Sequence, residues 1–205
     1  MTTSLAEHRS QRITSTPRRC GEEELLAQVE QTMARLVSGP RPNRVGTMAL
    51  SQVGSGGKRL RARTALRLAA IFGVPEPAAV TLASAVELLH NATLVHDDIQ
   101  DQDRQRRGVP ALWVQYGSAQ AINAGDLLLM LPFLAVAELG ASSARLSQEL
   151  ARASVETVRG QAEEMSLLER GLLDWDSYEG AARGKTGPLM ALPAVGAALL
   201  ADLAD

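Results

Sequence analysis

The run His96-Asp97-Asp98-Ile99-Gln100-Asp101-Gln102-Asp103-Arg104-Gln105-Arg106-Arg107-Gly108 gathers carboxylates and guanidinium groups into one short stretch. On a helix, Asp97 and Asp101 stand about one turn apart and share a face, with Asp98 about 100° round. Two carboxylates so placed repel unless a cation or a positive ligand lies between them. Hard oxygen ligands on one face suit Mg²⁺, which keeps several waters and shares its shell with phosphate oxygens. Taken alone, the pattern equally describes a solvated helix end bearing charges of both signs. The preceding residues favour the metal: Leu82, Val86, Leu89 and Leu94 make the same helix apolar for several turns, so the acids end a buried helix. Arg106 and Arg107 then bring guanidinium groups beside the carboxylates, a combination suited to gripping a diphosphate.

A second group lies upstream. In Gly56-Gly57-Lys58-Arg59-Leu60-Arg61, glycines open a helix and Lys58 and Arg61 fall on neighbouring faces of its first turn. Helix N-termini hold anions through free N–H groups, and the two cations would add charge. This is not a Walker loop, because Arg59 rather than Ser or Thr follows Lys58. A basic surface turn explains it as well.

The elements that position these residues read as helices throughout. Residues 22–37 are amphipathic, with Leu25, Val29, Met33 and Val37 near helical spacing, and Ser38-Gly39-Pro40 stops them. A loop with Pro40, Pro42 and Asn43 leads to the glycine turn and a helix over 58–72. Further helices are expected over 77–100, over 117–139 (apolar almost all round, hence buried) and over 144–172. Asp174 is a fair N-cap for a helix to Arg183. From Thr186 the chain is nearly all apolar, including the core-like run LMALPAVGAALLA at 189–201. Sustained β alternation and Asn-Gly hairpin signals are absent, so the class is all-α, with a disordered polar arm over 1–20 and a single helical domain over 21–205.

Bulk properties narrow the function. In 205 residues with 45% apolar and only 3% aromatic content, the core must be built mostly from Ala, Leu and Val. A formal net charge of -2 gives nothing global that would attract nucleic acid. The one cysteine, Cys20, cannot form an internal disulfide, and a reducing cytoplasm is the simplest home. The N-terminus lacks the apolar segment of a signal peptide. No stretch reaches about 18 apolar residues without charge, so no transmembrane helix is expected.

With both charged groups in view, the chain resembles the trans-isoprenyl diphosphate synthase (polyprenyl synthetase) family over roughly residues 22–200. GGKRLR at 56–61 resembles its isopentenyl diphosphate loop, and residues 96–108 its first aspartate-rich motif, DDxxDxxxxRRG. Ala121-Ile122-Asn123-Ala124-Gly125-Asp126 resembles an inner-helix signature, Gln161 the glutamine of the next helix, and Lys185-Thr186 the KT motif. The resemblance implies an isoprenoid-synthase helical bundle that condenses isopentenyl diphosphate with an allylic diphosphate, with Mg²⁺ as cofactor and a homodimer as assembly. It implies that Asp97 and Asp101 coordinate Mg²⁺ with Asp98 in support. Arg106 and Lys185, with Thr186 assisting, would hold the allylic diphosphate. Lys58, Arg61, His90 and Arg107 would hold isopentenyl diphosphate, and Gln161 would lie near the metals. His90 stands seven residues before Asp97, two helical turns, on the same face. Bulky residues four and five before the first aspartate limit product length in this family; Thr93 and Ala92 are small, which implies about twenty carbons or more, and Ala92→Phe would shorten the product.

The sequence departs from the family in one respect. A second aspartate-rich motif is expected on a later helix, yet after Lys185 the only acids are Asp202 and Asp205. A fragment of a longer parent is the first expectation; a short subunit completed by a partner and a degenerate paralogue are the others. The missing wall would leave the 205-residue chain with residual turnover at most. Two other functions compete: a non-catalytic subunit partnering a full-length synthase, and a class I terpene cyclase, which shares DDxxD but has no use for Lys58, Arg61 and Arg107.

Overall fold

The computed structural model describes residues 20–171 and 174–202. Apart from Cys20, the expected polar arm lies outside the described residues. Helix α1 (Glu22–Ser38) begins with three glutamates, which suit the positive end of a helix dipole, and Glu24 accepts from the Gly21 N–H at 3.0 Å. Helix α2 (Arg44–Val53) falls where the sequence suggested only a loop. The Asn43 side chain accepts from the Gly46 N–H at 2.7 Å, and Met48, Ala49 and Val53 are buried. The prolines before it, Pro40 and Pro42, hid a helix of nearly three turns.

Helix α3 (Leu60–Ile71) starts two residues later than expected, because Arg59 is left-handed (φ 48°) and leaves Lys58 outside the helix. Helix α4 (Glu76–Gln100) is the axis of the fold: Leu82, Ala83, Ala85, Val86, Leu88 and Leu89 are fully buried. A two-residue antiparallel pair, β1 (Gln105–Arg106) with β2 (Val109–Pro110), and the short helix α5 (Leu112–Tyr116) follow. The pair is too small to change the all-α class. Helices α6 (Ser118–Val136), α7 (Ser143–Arg170) and α8 (Trp175–Leu200) complete the bundle. Helices α1, α3, α6 and α8 pack around α4, and α7 runs along α8.

Two sequence expectations need correcting, and a third, on membrane-spanning helices, stays untested. The helix from Asp174 does not stop at Arg183 but continues as one rod through Pro188 and Pro193 to Leu200. Asp174 does cap it, accepting from the Ser177 N–H at 2.9 Å. Helix α6 is not buried all round: Ile122, Met130 and Leu134 are exposed, so its outer face is an apolar stripe. Finally, two helices, α4 and α6, are long and apolar enough to cross a membrane by length and composition. The sequence criterion excluded them because Glu87 and Asp126 interrupt the runs. Most of α4 is buried inside the bundle, so the packed core accounts for its hydropathy.

Candidate functional site

The basic loop is built from the inside. Arg59 turns inward and is 9% exposed. Its guanidinium donates to the Val53 carbonyl, lies 3.7 Å from the buried Glu87 carboxylate, and reaches Glu30 at 3.4 Å. The same Glu87 accepts from the Ala62 N–H at 3.0 Å. The sequence suggested that the free N–H groups of α3 would receive an anion; instead Glu87, on α4, occupies one of them. An anion there would meet side chains and the remaining first-turn N–H groups. Fixing Arg59 inward leaves Lys58 exposed and turns Arg61 toward His90.

The fourth cation arrives from the hairpin. Arg107 (φ 53°) and Gly108 (φ 81°) both take left-handed backbone, the geometry of a tight two-residue turn whose twist matches its strands. This carries the Arg107 guanidinium onto the Gly56 carbonyl. Gly57, whose backbone (φ 123°) favours glycine, lies directly under that guanidinium. Lys58, Arg61, His90 and Arg107 then line one cavity of about 430 Å³. Two atoms in this group lack protein partners although buried, Arg61 Nε and His90 Nδ1. Burial, reinforced by Arg61, Arg107, Arg106 and Arg59, pushes the His90 imidazole down to about 3. Arg59 and Glu87 also line it, so four permanent cations outweigh one carboxylate beside a neutral imidazole, with orphaned polar atoms that an anion would satisfy.

The acids lie at the C-terminal end of α4. Asp101 is the cap residue, its N–H donating to the Asp97 carbonyl at 2.8 Å. A helix C-terminus carries partial negative charge, so carboxylates there are doubly unfavourable and a cation doubly favoured. Burial pushes the Asp97 carboxyl up from its ordinary value, Lys185 opposes, and Asp101 adds to the rise. Asp98 is different: it is 2% exposed and takes the Arg106 guanidinium at 2.5 and 2.6 Å. In this structure, then, Arg106 braces the acidic turn through Asp98, and Asp97 and Asp101 are the carboxylates left for a metal. Among the described residues no group of three or more His, Cys, Asp or Glu side chains closes on one metal position. Two carboxylates on a negative helix end fit an ion that draws the rest of its shell from water and phosphate.

Helices α7 and α8 form the opposite wall. They cross at Gly160 and Gly184, where a Cβ at Gly160 would meet the Gly184 carbonyl carbon at 2.4 Å. This crossing sets the Lys185 backbone directly against α7. Lys185 Nζ lies 2.6 Å from Glu164, a residue that sequence reasoning passed over. Burial alone would lower the Lys185 ammonium; the Glu164 hydrogen bond and Asp97 outweigh it and leave it raised. Gln161, 7% exposed, donates to Gln100 at 2.9 Å and so ties α7 to the acidic turn. A smaller cavity of about 130 Å³ joins the two halves, lined by Arg61 and His90 on one side and Asp97, Lys185 and Thr186 on the other.

This arrangement can hold two anions a short distance apart, one in a pocket where cations outnumber the single carboxylate Glu87 and one on Asp97 and Asp101 with Lys185. The sequence of the chain matches the polyprenyl synthetase family over residues 43–205. The chain is 38% identical to a geranylfarnesyl diphosphate synthase from Aeropyrum pernix, over 73% of this chain and 49% of that protein. To a geranylgeranyl pyrophosphate synthase from Geoglobus acetivorans it is 36% identical, over 81% and 53%. The fold superposes on the crystal structure of a polyprenyl synthetase from Streptomyces coelicolor with a TM-score of 0.82 and 31% identity, over 89% of this chain and 57% of that one. A geranylgeranyl pyrophosphate synthetase structure from Geoglobus acetivorans gives 0.81 and 34%, over 87% and 59%. The chain spans about half the length of the curated relatives it matches.

Proposed function

Since the chain belongs to the polyprenyl synthetase family, we propose that it is a Mg²⁺-dependent prenyltransferase, or the part of one that carries both substrate grips. It would add isopentenyl diphosphate to an allylic diphosphate and make a trans-prenyl diphosphate of about twenty carbons or more. The observation that carries this is the cavity shared by Arg61, His90, Asp97 and Lys185. A site for one diphosphate would not need both a cation pocket and an acidic helix end opening into one space. A class I terpene cyclase would have no use for the pocket of Lys58, Arg61, His90 and Arg107.

In this reading Asp97 and Asp101 would hold Mg²⁺. Bound there, the ion supplies positive charge against the diphosphate as the allylic C–O bond ionises. Lys185 exchanges Glu164 for the same leaving group, with Thr186 beside it. The cation pocket holds isopentenyl diphosphate, and its double bond attacks the allylic carbocation. The departing diphosphate accepts the proton that is then lost, so no side-chain base is required. The apolar faces of α4 and α8 keep water from the cation. Small Thr93 leaves the cavity beside Asp97 open for a growing chain.

We further propose a homodimer, for which the outward apolar stripe of α6 (Ile122, Met130, Leu134) provides a face. The cytoplasm is the proposed compartment, in keeping with a single cysteine. The direct test is calorimetry of Mg²⁺ binding with and without inorganic diphosphate, followed by incorporation of labelled isopentenyl diphosphate onto an allylic primer. Mg²⁺ should bind more tightly with diphosphate present, and Asp97→Ala should abolish the difference. Equal affinity with and without diphosphate would refute the metal assignment.

A further inference from the structure

The acidic turn of α4 must be held against its own charge. Asp97, Asp98 and Asp101 repel one another and sit on the negative end of a helix. Two ties are described above: Asp98 to Arg106 of the hairpin, and Gln100 to Gln161 of α7. The third side faces α6. There the His96 imidazole lies in a notch that only glycine leaves open: a Cβ at Gly125 would stand 2.3 Å from His96 Nε2. The same nitrogen is 3.3 Å from Asp126 Oδ1. His96 also lines the cavity beside Asp97, with Thr93 and Gln100. His96 is not in the cation pocket, and Asp126 is a carboxylate on the otherwise apolar outer stripe of α6.

We propose that His96 and Asp126 are positioning residues: anchored on α6, the imidazole fixes the rotation of the last turn of α4 and so aims Asp97 and Asp101. His96 is the residue before Asp97 and lies one turn before Gln100, so His96 and Gln100 form a strip along the edge of the Asp97–Asp101 face. One strip residue is tied to α6 and the other to α7. The helix end cannot turn without breaking one of the two. Asp126 is well exposed, so the pair adds little stability by itself; its effect is on orientation. The inference rests on the metal and diphosphate reading given under Proposed function.

The test uses the 205-residue chain and inorganic diphosphate as probe. Calorimetry measures diphosphate binding with and without Mg²⁺ for wild type, Asp126→Asn, Asp126→Glu and His96→Phe, alongside thermal melting. His96→Phe fills the notch without the polar partner. Asp126→Asn and His96→Phe should weaken Mg²⁺-dependent binding about tenfold, as loss of a group orienting a metal ligand does. Mg²⁺-free binding and melting temperature should stay at wild-type values, and Asp126→Glu should recover most of the loss. Wild-type Mg²⁺-dependence in Asp126→Asn would overturn the positioning role, as would an equal fall of Mg²⁺-free binding, which signals general loosening. If His96→Phe fails to fold, Asp126→Asn, a change at an exposed side chain, decides alone. Failure of wild type itself to show Mg²⁺-dependent binding would refute the underlying reading of the site, and with it this inference.

Discussion

Gly160 of α7 presses on the backbone of Lys185 of α8, so closely that a Cβ on the glycine would stand 2.2 Å from the lysine nitrogen. The neighbour is backbone, not a flexible side-chain tip, so it cannot swing aside. Gly160→Ala should therefore force the helices apart despite the roughly 1 kcal/mol that alanine gains in helix propensity. Overpacking of this kind costs about 1–3 kcal/mol. The variant should melt at lower temperature and, because Lys185 moves with α8, bind Mg²⁺-diphosphate more weakly. A stability equal to wild type would show that the crossing is looser than it stands here.

Glu87 secures the basic loop twice, through the Ala62 N–H and through Arg59. Both charged side chains are buried, and stranding one member of a buried pair costs about 3–5 kcal/mol. At 3.7 Å the pair is loose, and the Val53 carbonyl still holds Arg59. Glu87→Gln should fall near the lower end, about 3 kcal/mol in urea unfolding. Binding of Mg²⁺-free diphosphate should weaken as well. Unchanged binding would mean that Lys58 and Arg61 need no such support.

His90 predicts a pH dependence. Its imidazole titrates at about 3 in the fold and near 6.5 in an unfolded chain. Between these values the unfolded state binds the proton and the folded state does not, so stability falls as pH drops below about 6.5. From pH 7.5 to pH 5 the loss from this residue is on the order of 2 kcal/mol. His90→Gln should remove that part of the slope. Parallel pH profiles for the two proteins would refute the buried neutral imidazole.

Product length offers a fourth test, and the structure revises the sequence expectation. Ala92 is 1% exposed and packs in the core, whereas Thr93 lines the cavities beside Asp97. Thr93→Phe should shorten the products resolved by chromatography. Ala92→Phe should instead cost about 1–3 kcal/mol of stability by overpacking. Unchanged product length in Thr93→Phe would remove Thr93 from the channel wall.

The sequence made the charged motifs legible because their geometry is local. Asp97 and Asp101 lie one helical turn apart, and a turn has a fixed pitch; Lys58 and Arg61 are near neighbours in sequence, although Lys58 falls outside the helix. Glu164 was not legible. Glu163 and Glu164 read as the solvated face of an amphipathic helix, and which one meets Lys185 depends on the Gly160–Gly184 crossing, a long-range contact. The inward turn of Arg59 escaped for the same reason, since its partner Glu87 is far along the chain. Helix α2 was missed because Pro40, Pro42 and Gly46 outweigh a short apolar pattern. The outer stripe of α6 could not be read from a helix apolar on every side: hydropathy shows how much surface seeks cover, not which part has found it.

In the proposed function, each diphosphate grip has one member on a single continuous helix. His90 and Asp97 belong to the same unbroken helix, and seven residues of helix span about 10 Å. The gap between donor and acceptor on this side is therefore set by helical pitch, with no hinge or loop to stretch it. A one-residue deletion between them would turn one grip about 100° away from the other. Any approach of the two reacting carbons must come from the substrates themselves or from the wall that carries Lys185. Helix α4 is thus the fixed ruler of the proposed site.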